Sequence, residues 1–188
     1  FSVSVDKEAV VFTGEVHKDH LDKFYDIFKS SLLDNKFDES DFKRIKNNQL
    51  NYVSTAVINT NDERLSKRVL EEKLYNGHPY AKLVEGTKSG VESITLDDVK
   101  SQYAEFFTKN NLVIGIAGGY SSKFLAKVKS DFSSMKEGKN GLVDLPKESA
   151  PKGIDFTIVA KKNTFGSAIF MGFPYDLTRS SKDFAAMM

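Results

Sequence analysis

The sequence predicts an α+β fold in which helices pack on one face of a mostly antiparallel sheet. Three observations support this prediction. Two short strand-like segments open the chain, five segments with helical periodicity follow, and two further strand-like segments come near its end. Strands and helices that occupy separate stretches of sequence are typical of α+β domains, in which helices cover one side of an antiparallel sheet.

The first two strands are predicted to form a hairpin. Residues 1–6 alternate strictly between apolar and polar side chains, a short polar turn follows, and residues 9–14 give the second strand. An isolated hairpin is only marginally stable in water, so we expect further strands to pair with it. Because no strand precedes it in the sequence, we expect the folded domain to begin before Phe1.

Three helices with recognisable ends come next. Apolar side chains recur at three- and four-residue spacing in the first, at Leu21, Phe24, Tyr25, Phe28 and Leu32. Asp38 is suited to cap the second helix, which is expected to run to about Val57. Asn61 or Asp62 caps the third, which ends where an Asn-Gly pair at 76–77 precedes a proline.

A loop is predicted around Gly86 and Gly90, before a fourth helix. Thr95 is the expected cap of that helix, and Asp98 stands three residues later, at the position that completes a capping box. These two residues therefore indicate where the fourth helix begins.

Residues 112–117 are continuously apolar, which indicates a central strand buried on both faces. Two glycines at 118–119 turn the chain. Ser121 or Ser122 then caps a fifth helix. This strand, turn and helix close the first predicted domain.

A linker is predicted at residues 133–153, because glycine and proline recur there among lysine, glutamate and serine. Strands are predicted at 154–160 and 165–173, with a turn between them, and a helix is expected to begin at Ser180 or Ser181. These last elements are too short to bury a core alone, so we expect them to open a second domain.

The predicted organisation is therefore a first domain at 1–132, a linker at 133–153 and the start of a second domain at 154–188. We expect the second domain to continue beyond Met188. The fold is thus predicted to be truncated at both ends of the chain.

Composition and charge argue against several classes of function. The net charge is +1 and the charged share is 28%, so no strong field favours nucleic acid as a partner. The chain has no cysteine, which removes disulfides, thiolate nucleophiles and cysteine-ligated zinc. No apolar run approaches the roughly 18 residues of a membrane span. We therefore expect neither a nucleic-acid partner nor a membrane span.

The histidines are poor candidates for a metal site. His17 and His20 are three residues apart with Asp19 between them, whereas the helical zinc motifs H-x-x-E-H and H-E-x-x-H place histidines four apart beside a glutamate. We interpret the pair as exposed polar residues at a strand-to-helix junction. His78 follows a helix in a Gly-His-Pro-Tyr loop, where a hydrogen bond to a helix-end carbonyl is the expected role.

The remaining polar motifs also lack a catalytic pattern. Residues 115–119 lie between a strand and a helix but match neither G-x-G-x-x-G nor the P-loop, which favours a tight turn. The serines at 121–122 have no G-x-S-x-G setting, and the acids at 97–98 are explained by helix capping. We therefore predict no catalytic, cofactor-binding or metal-binding residue in this chain.

Two ordered stretches of motifs nevertheless point to one family. The first passes from a helix end through His-Pro-Tyr and a glycine to an Ile-Thr-x-Asp-Asp helix start, at residues 74–81, 86 and 91–99. The second joins a helix, an Asn-Leu strand and an Ala-Gly turn at 103–119. This order resembles the insulinase/pitrilysin family of zinc metallopeptidases, the inverzincins. The resemblance implies that 1–132 is the C-terminal part of one α+β repeat and 154–188 the start of the next.

The resemblance also implies where a peptidase site would lie. Active members hold zinc with the histidines of H-x-x-E-H and a later glutamate, and the motif glutamate is the general base that activates a zinc-bound water. In this chain that motif is implied before Phe1, and an Arg-Tyr pair that holds substrate is implied beyond Met188. The third ligand is implied at one of three neighbouring positions, Tyr52, Val53 or Ser54. None is acidic, and the nearest acids, Asp41 and Asp62, are more than two helical turns away.

The absent ligand favours a non-catalytic homologue, in which this region is structural or encloses a peptide. The resemblance implies zinc in active family members but none in this chain. It implies as partners other domains of the same protein or a homologous active subunit, as in the mitochondrial processing peptidase and the core subunits of the bc1 complex, with a peptide as the substrate.

Two alternatives stay open at the level of sequence. In the first, the intact protein is an active zinc endopeptidase, a hydrolase whose H-x-x-E-H site lies in another domain or partner chain. In the second, the chain is a non-proteolytic α+β interaction module. The sequence does not fix the compartment, although the resemblance favours the bacterial periplasm.

Overall fold

A computed structural model describes residues 1–59, 61–139, 141, 145–146, 152–162, 164, 166–175 and 177–187. The strands are β1 (Ser2–Val5) and β2 (Val10–Thr13). The α-helices are α1 (Leu21–Leu33), α2 (Glu39–Asn51), α3 (Asp62–Leu74), α4 (Lys88–Ser93), α5 (Leu96–Phe106) and α6 (Ser122–Ser133). A π-helix at Tyr52–Asn59 follows α2 directly. None of the helices in these ranges is long and apolar enough to span a membrane.

The α+β class is confirmed, since helices accompany a small antiparallel sheet. The chain divides into two compact units. Unit 1 comprises residues 1–46 and 92–143, and unit 2 comprises residues 47–91 and 144–188. The predicted division into 1–132, 133–153 and 154–188 stays a prediction, and much of that linker (140, 142–144 and 147–151) lies outside the described residues.

Unit 1 contains the predicted hairpin. β1 and β2 pair antiparallel, with Ser2 opposite Thr13 and Val5 opposite Val10. The Asp6 carboxylate closes the turn by accepting hydrogen bonds of 2.7 Å from the amides of Glu8 and Ala9. Those two bonds hold the pKa of Asp6 below its usual value.

The core of unit 1 lies between α1 and α6. Five buried side chains form it, and they are Tyr25, Leu32, Phe124, Val128 and Phe132. The three from α6 are spaced four residues apart, so they share one helix face. Burial of each large apolar side chain contributes about 1.5–3 kcal/mol. The apolar stripes predicted from the sequences of α1 and α6 therefore face this core.

Tyr103 of α5 joins the same unit. Its hydroxyl donates a 2.5 Å hydrogen bond to the carbonyl of Leu32, at the last turn of α1. Its ring stacks on Phe107 at 4.6 Å and meets Phe37 edge-on at 5.2 Å. The bond satisfies one of the carbonyls that a helix end leaves unpaired.

Unit 2 is built on α3. Val53 of the π-helix is fully buried and Val91 of α4 is 6% exposed. Lys161 pairs with Asp62 at 2.5 Å, and a side chain placed at Gly172 would contact Leu70 and Leu74 at 3.2–3.3 Å. Lys161 and Gly172 therefore lie against α3.

Helix ends agree closely with the predictions. Asn61 caps α3 and Ser121 caps α6, each by accepting an amide hydrogen bond from three residues on. Thr95 and Asp98 form the complete capping box of α5. These signals are local, so they hold without knowledge of the tertiary fold.

The central strand predicted at 112–117 is wrong. These residues belong to no strand, and Val113 is 94% exposed, while Leu112 and Ile116 pack on the core of unit 1. One side of the segment is therefore covered rather than both. An apolar run shows only that a segment prefers burial, whereas a strand also needs a neighbouring backbone to pair with.

The strands predicted at 154–160 and 165–173 are likewise absent from the described residues, among which the only sheet is that of β1 and β2. Residues 163 and 165 lie outside the described part of the chain. The helix expected from Ser180 or Ser181 is only a 3-10 turn at Phe184–Ala186. The loop predicted around Gly90 contains the short helix α4 instead.

Candidate functional site

The position implied for a third zinc ligand falls at the start of the π-helix. α2 ends at Asn51, and the helix continues with wider winding from Tyr52. Val53 is fully buried, whereas Tyr52 and Ser54 are half-buried. π-Helices are rare and frequently occur at functional sites. At the position implied for the ligand, the available side-chain groups are therefore the phenol of Tyr52, the isopropyl group of Val53 and the hydroxyl of Ser54.

An arginine from α3 occupies the space beside this position. Arg64 donates a hydrogen bond from Nη1 to the hydroxyl of Tyr52, and its guanidinium carbon lies 5.4 Å from the centre of the Tyr52 ring. The same guanidinium approaches Glu85, with 3.6 Å between Nε and Oε1. One cation therefore links the π-helix, α3 and the loop before α4.

Two further side chains hold that loop. Gln49 of α2 donates a 2.8 Å hydrogen bond to the carbonyl of Glu85, and Arg68 of α3 donates one of 2.7 Å to the carbonyl of Gly86. Gly86 has φ +78°, a conformation that glycine adopts without strain. Two side chains thus hold the backbone at Glu85 and Gly86, and the carboxylate of Glu85 lies within reach of Arg64.

The residues at this position do not fit a zinc ion. Zinc in proteins is held by histidine, cysteine or carboxylate ligands. The nearest acids noted from the sequence are engaged elsewhere, since Asp41 pairs with Arg44 at 2.8 Å and Asp62 pairs with Lys161. Across the described ranges, no three His, Asp or Glu side chains are grouped so that they could hold a metal. A permanently charged guanidinium beside Tyr52 further disfavours a dication.

The histidine pair lies outside this site. His17 precedes the 3-10 turn Lys18–His20, and His20 is the last residue of that turn. Both side chains are exposed. The Nδ1 atom of His17 accepts a 3.4 Å hydrogen bond from the amide of Asp19, so it caps the turn. This placement agrees with polar residues at a strand-to-helix junction.

His78 is buried, with 7% of its surface exposed. Its Nδ1 accepts a 3.0 Å hydrogen bond from the amide of Tyr80, and so the proton of the neutral ring is on Nε2. The ring packs against Tyr75 and Tyr80 at 5.6 and 4.8 Å. The sequence suggested a bond to a helix-end carbonyl, but the side chain caps the 3-10 turn that starts at Pro79.

The other motifs serve local structure. Gly118 has φ +114° at the turn before α6, and the amide of Tyr120 donates back to its carbonyl at 3.2 Å. Ser121 accepts from the amide of Phe124 as the cap of α6. Asp98 accepts from the amide and hydroxyl of Thr95, and these bonds lower its pKa.

Sequence reasoning identified Tyr52 but missed Arg64 and Glu85. The three residues are brought together from separate segments, so no spacing rule connects them. The only available signal is a cation in the first turn of α3, where helices generally favour acids.

Comparisons with known proteins identify the family and support the fold. A family model described as "Insulinase (Peptidase family M16)" matches residues 1–88, and one described as "Peptidase M16 inactive domain" matches residues 93–188. The chain therefore belongs to peptidase family M16, and the family predicted from the motifs is confirmed.

Two curated bacterial proteins are similar to the chain. The "Non-peptidase homolog YmxG" of Helicobacter pylori is 25% identical over 191 residues, which cover 98% of this chain and 42% of that protein. The "Uncharacterized zinc protease YmxG" of Bacillus subtilis is 23% identical over 168 residues, covering 89% of this chain and 39% of that protein. The chain thus spans about two fifths of the length of these relatives.

A solved structure has a similar fold. The crystal structure of a peptidase M16 inactive domain from Pseudomonas fluorescens superposes with a TM-score of 0.63 and 24% identity, over 72% of this chain and 32% of that one. This likeness supports the metallopeptidase-like α+β fold.

Proposed function

We propose that this chain is a non-catalytic region of a larger M16-family protein, in which it supports or encloses a peptide and hydrolyses none itself. One observation carries the proposal. The position implied for the third zinc ligand is occupied by Tyr52, Val53 and Ser54. Arg64 bonds to Tyr52 there and forms an ion pair with Glu85.

Charge explains why this arrangement opposes catalysis. A zinc peptidase site needs ligands with a lone pair free to bind the metal, such as neutral histidine and carboxylate, which hold the dication and leave it able to polarise water. Here the carboxylate of Glu85 faces Arg64 at 3.6 Å. Arginine stays protonated at every physiological pH, so this carboxylate has a cationic partner whether or not a metal is offered.

The printed names of relatives favour the same proposal. The match to the inactive-domain family model and the name of the Helicobacter pylori protein both describe non-peptidase members. The Bacillus subtilis protein is named a zinc protease, which favours a second candidate. In that case the intact protein is an active endopeptidase, and its H-x-x-E-H site lies in a segment or partner other than this chain.

Metal analysis tests the proposal directly. The purified chain is equilibrated with Zn²⁺ at neutral pH, dialysed and assayed for bound metal, alongside the His17→Ala/His20→Ala double variant. We expect far less than one zinc per chain, and any weak surface binding should disappear in the double variant. One zinc per chain that survives the double substitution, and is lost on substitution within 38–62, would contradict the proposal.

Activity of the intact protein separates the two candidates. Hydrolysis of peptides that stops on chelation, and on substitution of an H-x-x-E-H motif elsewhere, would establish the endopeptidase. The His17→Ala/His20→Ala variant should retain that hydrolysis in full. Absence of hydrolysis by the intact protein, despite peptide binding, is the result expected of a non-catalytic homologue.

Partners and location follow as further parts of the proposal. We propose that the chain works beside other M16 domains, on the same protein or on a homologous active subunit. A bacterial periplasmic location is proposed from the family resemblance alone, and fractionation of cells that express the full-length protein tests it.

A further inference from the structure

The turn that follows α3 contains an asparagine followed directly by a glycine, Asn76 and Gly77. The amide of His78 donates a 2.8 Å hydrogen bond to the carbonyl of Tyr75, which closes the turn around these two residues. Both of them are exposed, whereas His78 is buried. The pair therefore lies at the surface, on a turn that leads directly to a buried side chain.

The backbone nitrogen of Gly77 is open to reaction. Gly77 has φ +82°, and apart from its chain neighbours no atom lies within 4 Å of the position that a Cβ would occupy. The amides of Asn76 and His78 donate to the carbonyls of Lys73 and Tyr75. Among the residues that the structure describes, no acceptor is found for the amide of Gly77. Neither a side chain nor a hydrogen bond therefore shields this nitrogen.

We propose that Asn76 is a site of spontaneous deamidation and isomerisation in the folded protein. The backbone nitrogen of Gly77 attacks the side-chain Cγ of Asn76. An N–Cγ bond forms, the Cγ–Nδ2 bond breaks, and ammonia leaves with the proton of the Gly77 amide, so the product is a cyclic succinimide. Water then opens the ring at either of its carbonyls, which returns a proton to the nitrogen and gives aspartate or isoaspartate.

Two other asparagines are less suited to this reaction. Asn35 is also exposed, but a lysine follows it, and its side-chain amide donates a 3.4 Å hydrogen bond to the carbonyl of Leu32. A side chain on the following residue crowds the attacking nitrogen. A second Asn-Gly pair occurs at 140–141, where the amide of Gly141 donates a 2.7 Å hydrogen bond to Oδ1 of Asn111, and residue 140 lies outside the described part of the chain. The nitrogen of Gly141 is therefore engaged.

The two products differ in their effect on the turn. Aspartate adds a charge but leaves the path of the backbone unchanged. Isoaspartate carries the backbone through its side chain, which adds one carbon atom to the chain between Tyr75 and His78. The 2.8 Å hydrogen bond across the turn then loses its geometry, and so does the bond from the amide of Tyr80 to Nδ1 of His78. Isoaspartate therefore disturbs the His-Pro-Tyr loop, whereas aspartate leaves it in place.

Peptide mapping tests the site in the intact protein, without any substitution. The folded protein is incubated at mildly alkaline pH, sampled over time and digested with trypsin. Residues 74–82 form a tryptic peptide in which Asn76 is the only asparagine, and residues 30–36 form one in which Asn35 is the only one. Mass spectrometry should show deamidation of the first peptide well before the second, with both aspartate and isoaspartate as products. Equal rates in the two peptides, or aspartate alone, would overturn the proposal.

Two variants test the mechanism and its effect on the loop. Gly77→Ala keeps Asn76 but adds a side chain beside the attacking nitrogen, so most of the deamidation should be lost, and an unchanged rate would contradict attack by this nitrogen. Asn76→Asp has the charge of one product without the longer backbone. Hydrogen exchange at the Tyr80 amide should be faster in the isoaspartate form than in Asn76→Asp, and equal exchange would refute the effect on the loop. These measurements are independent of zinc binding.

Discussion

Tyr25 of α1 donates a 2.9 Å hydrogen bond to the carboxylate of Asp131 on α6, across 106 residues of sequence. Lys29 pairs with the same carboxylate at 3.5 Å, and Lys127 lies 5.0 Å from the centre of the Tyr25 ring. Burial of the phenol, and then its bond to Asp131, raise the pKa of Tyr25 well above its ordinary value. The bond therefore fixes the relative position of the two helices that form the core of unit 1.

Tyr25→Phe removes only the hydroxyl. We expect the free energy of unfolding to fall by about 1–2 kcal/mol, because the carboxylate of Asp131 loses a charge-assisted partner. Urea denaturation followed by circular dichroism measures the change. Tyr120→Phe is the matched control at a site that is 40% exposed, and it should change stability by less than about 0.5 kcal/mol. Equal effects of the two substitutions would show that the bond contributes nothing to stability.

Val53→Ala probes the start of the π-helix. Val53 has no exposed surface, so the substitution leaves a cavity and should cost on the order of 2 kcal/mol. Val113→Ala makes the same change where 94% of the side chain is exposed, and it should be nearly neutral. Denaturant midpoints of the two variants measure the difference, and a small effect at Val53 would mean that the surroundings collapse around the shortened side chain.

Gly77→Ala tests the end of α3. Gly77 has φ +82°, and nothing lies within 4 Å of an added Cβ, so backbone conformation alone should cost about 1–2 kcal/mol. Gly115→Ala is the control, because its surroundings are equally open and its φ is not positive. That variant should be neutral or slightly more stable. Melting temperatures of both variants measure the contrast, and similar values would argue against the left-handed turn.

The capping box of α5 should make stability depend on acid pH. The hydroxyl and amide of Thr95 favour the ionised form of Asp98, so its pKa is lower when folded than when unfolded. This contribution is present above the ordinary aspartate pKa of about 3.9 and is lost as the pH falls through the lowered pKa. The stability difference between the natural chain and Asp98→Asn should therefore be largest near neutral pH and shrink below about pH 4.

Asp97→Asn is the control for that measurement. It removes the same charge from the same turn, but Asp97 contacts only the exposed Lys100 among the ion pairs described, at 3.2 Å. Its stability difference from the natural chain should be smaller and should vary less with pH. Unfolding free energies at pH 7, 5 and 3 are compared, and parallel curves for the two variants would contradict the role of the box.

Local signals predicted much of this fold. The hairpin, the stripes of α1 and α6, and the caps at Asn61, Thr95 and Ser121 all depend on residues within a few positions of one another. The strand at 112–117 failed because a strand is defined by its partner, and its sequence contains no information about that partner. The second helix was predicted to run to about Val57 without a change of winding, and the π-helix that begins at Tyr52 could not be predicted from residue preferences.

The candidate site could likewise be predicted from the sequence only in part. The absence of an acid at Tyr52, Val53 and Ser54 could be predicted, because it needs only the family motifs and a count of residues. The arginine that contacts Tyr52 could not, because Arg64 and Glu85 come from segments 12 and more residues away that only the tertiary fold unites. A missing side chain is thus easier to predict than the group that takes its place.

The π-helix has a consequence for the study of relatives. An alignment compares positions one for one and does not record how tightly a helix winds. An α-helix completes a turn in 3.6 residues, whereas the i→i+5 bonds of the π-helix at Tyr52–Asn59 need more. In a homologue that is α-helical here, the same alignment column would point its side chain in another direction. The direction of a side chain at this position therefore depends on the winding of the helix as well as on the residue that occupies it.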